Sequence, residues 1–251
     1  MKDSKRIIAC FLILPAVFIR CQNNPAREYG NWMEALSIKW PQITMINNIQ
    51  YTDRDFSVAG CAFLLDTGSD TVAVTAKHIL TYFKSESMNG VSFDGSLRRW
   101  KMYPKNNPSD SVIVDRMINE DPEESIEGIT PDRDWLLFRV RSISGNIQPL
   151  RFRTTPLQAG EEVFIIGWRY SDKNCPQRIY RGNYVSSRKG SVIVSTKRLA
   201  DNTMPGLSGS PVIDSNGYLI GLMSRKAGKM EELASIDYPA QILGMDNQES
   251  L

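Results

Sequence analysis

Histidine is nearly absent from this chain: His78 is the single example in 251 residues. The four cysteines, Cys10, Cys21, Cys61 and Cys175, are scattered. One imidazole and widely spaced thiols cannot supply a zinc site of ordinary composition, and no metal or cofactor is called for. No apolar run is long enough to cross a bilayer: the stretch Ile7 to Ile19 is interrupted by Pro15 and falls short of the roughly 20 residues required. Net charge is small, at +2. Neither bulk disorder nor a repeat array fits the composition. The shortage of histidine leaves one choice: a general base working near neutral pH is His78, and it acts only when neutral.

The first residues read as an export signal. Lys2, Lys5 and Arg6 precede the apolar stretch, so residues 1–20 are assigned as a signal peptide rather than a membrane helix. Removing them takes away four basic residues and one acidic one, moving the formal charge from +2 to −1. That leaves no electrostatic case for nucleic acid. Cys21 follows directly, trailed by Gln22-Asn23-Asn24. A cysteine at this junction resembles the lipidation site of bacterial lipoproteins, although Phe18-Ile19-Arg20 stand where small residues are expected. The expectation is an exported protein, lipid-anchored through Cys21 or plainly secreted.

Residues 21–42 form a lead-in. Beyond residue 43, period-two and short apolar runs dominate, bounded by Gly, Asn, Asp and Ser. Strands are expected at Val58–Leu65, Thr71–Thr75, Leu97–Tyr103, Val112–Met117, Trp135–Val140, Leu150–Arg153, Glu162–Tyr170, Arg178–Ser186, Ser191–Thr196, Ser210–Ile213 and Tyr218–Ser224. Only Ala76–Tyr82 and Pro239–Met245 read as short helices, and the acidic stretch Glu120–Arg133 reads as a surface loop. Many short strands with regular turns argue for an all-β protein of antiparallel barrels. A break near Ser142–Gly145 divides it into an N-terminal barrel, 43–141, and a C-terminal one with its tail, 142–251.

Three residues carry candidate chemistry. Ser208 lies in Gly206-Leu207-Ser208-Gly209-Ser210-Pro211. A serine hydroxyl is a weak nucleophile unless a neighbouring base takes its proton. Flanking glycines permit the sharp turn that aims two amides, those of Gly206 and Ser208, at one oxyanion. His78 follows the strand Val72-Ala73-Val74-Thr75 and so sits at a strand end, where an imidazole can face a cleft. Asp134, just ahead of Trp135-Leu136-Leu137-Phe138, is favoured over Asp132 as the carboxylate that holds the imidazole tautomer.

At these residues the chain resembles the trypsin-like, chymotrypsin-fold serine proteases. Thr75-Ala76-Lys77-His78 is similar to the family's histidine motif, and Asp134-Trp135-Leu136-Leu137 to its aspartate motif. Gly206-Leu207-Ser208-Gly209-Ser210-Pro211-Val212 is similar to its nucleophile motif, most closely to the form in bacterial glutamyl endopeptidases. The order His, Asp, Ser is the family's order. The resemblance spans roughly residues 43–228. It implies two packed six-stranded β-barrels with His78, Asp134 and Ser208 in the cleft between them, acting on a protein or peptide. It also implies that Thr203, Ser224 and Arg225 contact substrate, with Arg225 and Lys226 on the wall of a pocket that could attract an acidic side chain. Leu207 departs from the family, standing where animal trypsins carry an aspartate that receives a newly cut N-terminus. Ile79 replaces the frequent cysteine after the histidine, which leaves Cys61 without that partner.

Two other readings compete. Leu65-Asp66-Thr67-Gly68-Ser69 matches the aspartic-protease motif, but that chemistry needs two carboxylates sharing a proton, and the chain holds no second Asp-Thr-Gly or Asp-Ser-Gly. Asp66–Asp70 is therefore expected to be a hairpin turn. The other alternative is a catalytically inactive protease-fold binding module. Cys61 and Cys175 are equally compatible with a disulfide and with two free thiols.

Overall fold

A computed structural model describes residues 40–172, 175–196 and 205–245. The signal-peptide and lipidation assignments at residues 1–21, and Thr203, fall outside the described residues.

The first half of the chain forms β1 (Met45–Tyr51), β2 (Asp55–Phe56), β3 (Cys61–Asp66), β4 (Thr71–Thr75), β5 (Gly90–Val91), β6 (Leu97–Tyr103), β7 (Ser111–Met117), β8 (Asp121–Ser125) and β9 (Leu136–Ser144). The second half forms β10 (Glu162–Gly167), β11 (Arg178–Arg188), β12 (Ser191–Ser195), β13 (Pro211–Asp214), β14 (Leu219–Ala227) and β15 (Met230–Ser235), then helix α1 (Asp237–Ile242). In the first half β1-β3-β4-β9-β7-β6 run side by side, and a β1–β6 pairing closes them into a barrel, with β2 added beside β1. In the second half β10-β11-β12-β15-β14-β13 close likewise. Neighbouring strands are antiparallel throughout both barrels. The expected pair of six-stranded barrels is the observed architecture.

Local chemistry explains most elements. β4 reads Thr-Val-Ala-Val-Thr, and β-branched residues fit a pleated, packed surface. The turn joining β3 to β4 is the Asp66–Asp70 hairpin: Gly68 N–H donates to Asp66 Oδ1 at 2.8 Å and Thr67 N–H to Asp70 C=O at 3.0 Å. Asp66 Oδ2 is held by Arg151 at 2.8 Å, so this motif forms a turn and an ion pair.

Several strands escape a periodicity reading. β1 contains Asn47, which is fully buried and satisfied: its amide donates to Ala59 C=O (2.8 Å) and its Oδ1 accepts from Trp100 Nε1–H (2.9 Å). β15 contains adjacent glutamates, both buried. Glu231 faces the barrel interior opposite Val194, and Glu232 faces outward beside Arg225. β8 arises inside the stretch read as a loop, where it pairs with the two-residue β5. Among the described residues, the segment expected as a strand at Leu150–Arg153 makes isolated bridges alone, Leu65↔Leu150 and Phe152↔Leu219. Helix α1 starts two residues earlier than expected because Pro239 is tolerated in a first turn, and Gly244, at φ +67°, follows its end.

Each barrel packs its own interior, and Trp135 ties the two together. Its ring is fully buried edge-on against Phe63 (6.3 Å between centroids) and Phe152 (6.5 Å), while its indole N–H donates to Ser235 C=O at 2.8 Å. Burying a side chain of this size stabilises by about 2–3 kcal/mol. The residue before this anchor is Asp134.

Candidate active site

His78 leaves β4 through Ala76, whose ψ of 136° is still extended, into a 3-10 turn at Lys77–Thr81. The turn places the imidazole at the barrel edge with 23% of its side chain exposed. Asp134 ends a second short 3-10 turn, Pro131–Arg133, and its side chain is 1% exposed. Asn119 fixes the chain there by donating to Trp135 C=O (2.7 Å) and accepting from Leu137 N–H (2.9 Å).

Both Asp134 oxygens are engaged. Oδ1 accepts the His78 backbone N–H at 2.7 Å. Oδ2 lies 2.6 Å from His78 Nδ1 and accepts from Ser224 Oγ–H at 2.5 Å. On the far side of the ring, His78 Nε2 is 2.8 Å from Ser208 Oγ. The structure therefore brings His78, Asp134 and Ser208 into one hydrogen-bonded row and leaves Asp132 out of it.

Ser208 sits on a turn only glycine can shape on either side. Gly206 has φ +106° and Gly209 +81°, both in the region L-residues avoid. Space forbids a side chain too: a Cβ on Gly209 would stand 2.2 Å from Cys61 O, and one on Gly206 2.6 Å from Tyr170 N. Among the described residues, neither Gly206 N–H nor Ser208 N–H donates to a backbone carbonyl.

The remaining expected site residues fall differently. Ser224 is buried with its hydroxyl committed to Asp134, so its side chain belongs to the row rather than to a substrate pocket. Arg225 Nε donates to Glu232 Oε2 at 2.8 Å. Partial burial pushes the Glu232 carboxyl up, but hydrogen bonds from Arg225 and Ser191 and the charge of Arg188 hold it below the ordinary glutamate value. Lys226 lies opposite Glu231 in the β14–β15 register. Leu207 is buried in the second barrel's core, so apolar packing fills that position. Cys61 and Cys175 are free thiols.

Two features beside the row were not signalled by local sequence. Lys77, next to His78, is fully buried; its ammonium pairs with Glu124 at 2.7 Å and lies 5.3 Å from the centre of the Tyr238 ring. Cys61 touches the Ser208 turn through both its backbone and its thiol. Each contact joins residues far apart in the chain, which no spacing rule announces.

The sequence matches the trypsin-like peptidase domain family over residues 60–222. Among solved structures, Deg5 superposes with a TM-score of 0.54 at 17% identity, covering 84% of this chain and 91% of that one. The Rv3671c protease from M. tuberculosis, in its active form, superposes with a TM-score of 0.51 at 16% identity, covering 96% and 94%. At these identities the likeness is one of fold. No curated protein matches the chain.

Proposed function

The chain belongs to the trypsin-like peptidase family, and from that premise we propose that it is a serine endopeptidase using His78, Asp134 and Ser208 as its catalytic residues. The observation that carries the reading is the continuous row Asp134 Oδ2, His78 Nδ1, His78 Nε2, Ser208 Oγ, with gaps of 2.6 and 2.8 Å.

In this reading Ser208 Oγ attacks the scissile carbonyl while His78 Nε2 takes its proton. The carbonyl oxygen becomes an oxyanion and is held by the N–H groups of Gly206 and Ser208. His78 then returns the proton to the departing amine, leaving an acyl group on Ser208. Water, deprotonated by His78, attacks that acyl group, and the acid product leaves as Ser208 recovers its proton. Asp134 keeps the hydrogen on Nδ1 and stabilises the imidazolium that forms twice per cycle.

In this reading substrate adds to the edge of β14 that follows Met223. β13 pairs with β14 only through Leu222, and Met223 then exchanges backbone hydrogen bonds with Gly209 and Ser210. Beyond it, Ser224–Ala227 pair with β15, the one strand partner they have among the described residues. An extended peptide adding along the opposite edge of this stretch would run past Ser208, held by main-chain hydrogen bonds. An acidic side chain would be selected by Thr203, Arg225 and Lys226, with the Arg225 guanidinium also bound to Glu232.

The test is labelling with a fluorophosphonate, which reacts with an activated serine. Labelling lost in Ser208→Ala supports the reading, whereas a wild-type chain that takes no label favours the binding-module alternative. Export and lipidation are proposed on the sequence of residues 2–24 alone. Labelled palmitate incorporated by wild type but not by Cys21→Ala supports an anchored form, and no incorporation by wild type leaves the secreted form.

A further inference from the structure

In a trans peptide the carbonyl and the N–H point in opposite directions. An N–H is therefore aimed by whatever holds the carbonyl of the same peptide unit. Four successive carbonyls around the proposed nucleophile are each held. Pro205 C=O accepts from Tyr170 N–H at 2.9 Å, Leu207 C=O from Ser210 N–H at 2.9 Å, and Ser208 C=O from Cys61 N–H at 2.7 Å. The fourth, Gly206 C=O, accepts from no backbone amide among the described residues. Its partner is the Cys61 thiol, with Sγ 3.3 Å away.

The units beginning at Pro205 and Leu207 carry the Gly206 and Ser208 N–H groups. The Gly206 carbonyl belongs to the unit between them, so rotation of that unit disturbs both. Glycine adds no restraint of its own, because it lacks the Cβ that limits other residues. The holding group must come from outside the loop, and it is the only one of the four that is a side chain.

Cys61 is suited to donate. It is fully buried, and burial pushes its thiol above the ordinary cysteine value despite the opposing pull of the neighbouring Ser210 side chain and the Trp168 N–H. The sulfur therefore keeps its proton. Trp168 N–H donates to Sγ at 3.5 Å, while Trp168 C=O, at 3.6 Å, is a more distant acceptor than Gly206 C=O.

We propose that Cys61 is a positioning residue for the oxyanion-binding amides: its N–H holds the Ser208 carbonyl and its thiol holds the Gly206 carbonyl, so one residue of β3 braces both sides of Ser208. The inference rests on the serine-endopeptidase reading above.

The test compares wild type, Cys61→Ala and Cys61→Ser for the maximal rate of fluorophosphonate labelling and for the probe concentration at half that rate. Cys61→Ala is expected to lower the maximal rate about tenfold, with the half-saturating concentration within about twofold. Cys61→Ser keeps a donor and is expected to return to within about threefold of wild type. An alanine variant as fast as wild type overturns the proposal, as does a serine variant slowed as much as the alanine one. If Cys61→Ala does not fold, Cys61→Val, which also lacks a donor, takes its place: a loss of about tenfold beside a near-wild-type serine variant supports the positioning role, and a valine variant as fast as wild type overturns it. A wild-type chain that takes no label refutes the endopeptidase reading instead, and with it the reaction Cys61 would serve.

Discussion

Replacing Asp134 by asparagine isolates what that carboxylate does for His78. Oδ1 accepts the His78 backbone N–H at 2.7 Å, so the asparagine oxygen must take that place; an NH2 there would face another donor. The new NH2 then faces His78 Nδ1 and Ser224 Oγ, where Oδ2 had accepted at 2.6 and 2.5 Å. It donates to Nδ1, which moves the ring hydrogen to Nε2, against Ser208. An imidazole with hydrogen on Nε2 cannot take the serine proton. Loss of the right tautomer in such a row costs about 10⁴ in turnover, or about 5.4 kcal/mol of barrier. The substitution changes no volume, so the thermal midpoint should stay close to wild type while the maximal fluorophosphonate labelling rate falls by about four decades. A loss smaller than about tenfold would mean that His78 keeps its working tautomer without Asp134, and the reasoning would fail.

Three further outcomes follow from named contacts. Gly209→Ala should destabilise by more than about 2 kcal/mol and abolish labelling, because its Cβ meets Cys61 O at 2.2 Å in a left-handed backbone. Gly68→Ala, also left-handed but with open space around it, should cost only about 1 kcal/mol and leave labelling intact; equal effects at the two sites would refute the packing argument. Lys77→Ala removes a fully buried ammonium and leaves Glu124 with Arg133 at 3.5 Å as its remaining cation, so a loss of about 2–3 kcal/mol is expected from denaturant melts. Burial pushes the Glu231 carboxyl up against the opposing pull of Thr196 and Lys226. The folded chain then binds that proton more tightly than the unfolded one. Stability from this group is highest below the ordinary glutamate value and declines as pH rises through the raised folded value. Glu231→Gln should gain in thermal midpoint relative to wild type between about pH 4 and pH 7; a pH-independent difference would contradict the sign.

The row His78, Asp134 and Ser208 was legible because each member sits in a local signal: a strand end, a strand start and a glycine-bracketed turn. The turn at Asp66–Asp70 was legible for the same reason, since turn chemistry is local. What escaped depends on distant partners. Asn47 and Glu231 look wrong for strands until Trp100 Nε1–H is seen to meet the Asn47 oxygen and Thr196 N–H to meet one Glu231 oxygen. Ser224 was expected to end its strand, but β14 runs on to Ala227, and the Ser224 hydroxyl turns toward Asp134, 90 residues upstream in the chain. Arg225 read as a free cation and is paired, because Glu232 lies opposite it only once β14 and β15 close the second barrel. Cys61 gave no signal, since its two contacts with the Ser208 turn form only where the barrels meet.

The central claim is that Ser208 is a nucleophile activated by His78. Its most direct measurement is mass spectrometry of the purified chain after fluorophosphonate treatment, with Ser208→Ala and His78→Ala alongside. A single phosphonyl adduct on the peptide carrying Ser208, absent from Ser208→Ala and strongly reduced in His78→Ala, is the expected result. An adduct that persists in Ser208→Ala, or a wild-type chain that takes none, would contradict it.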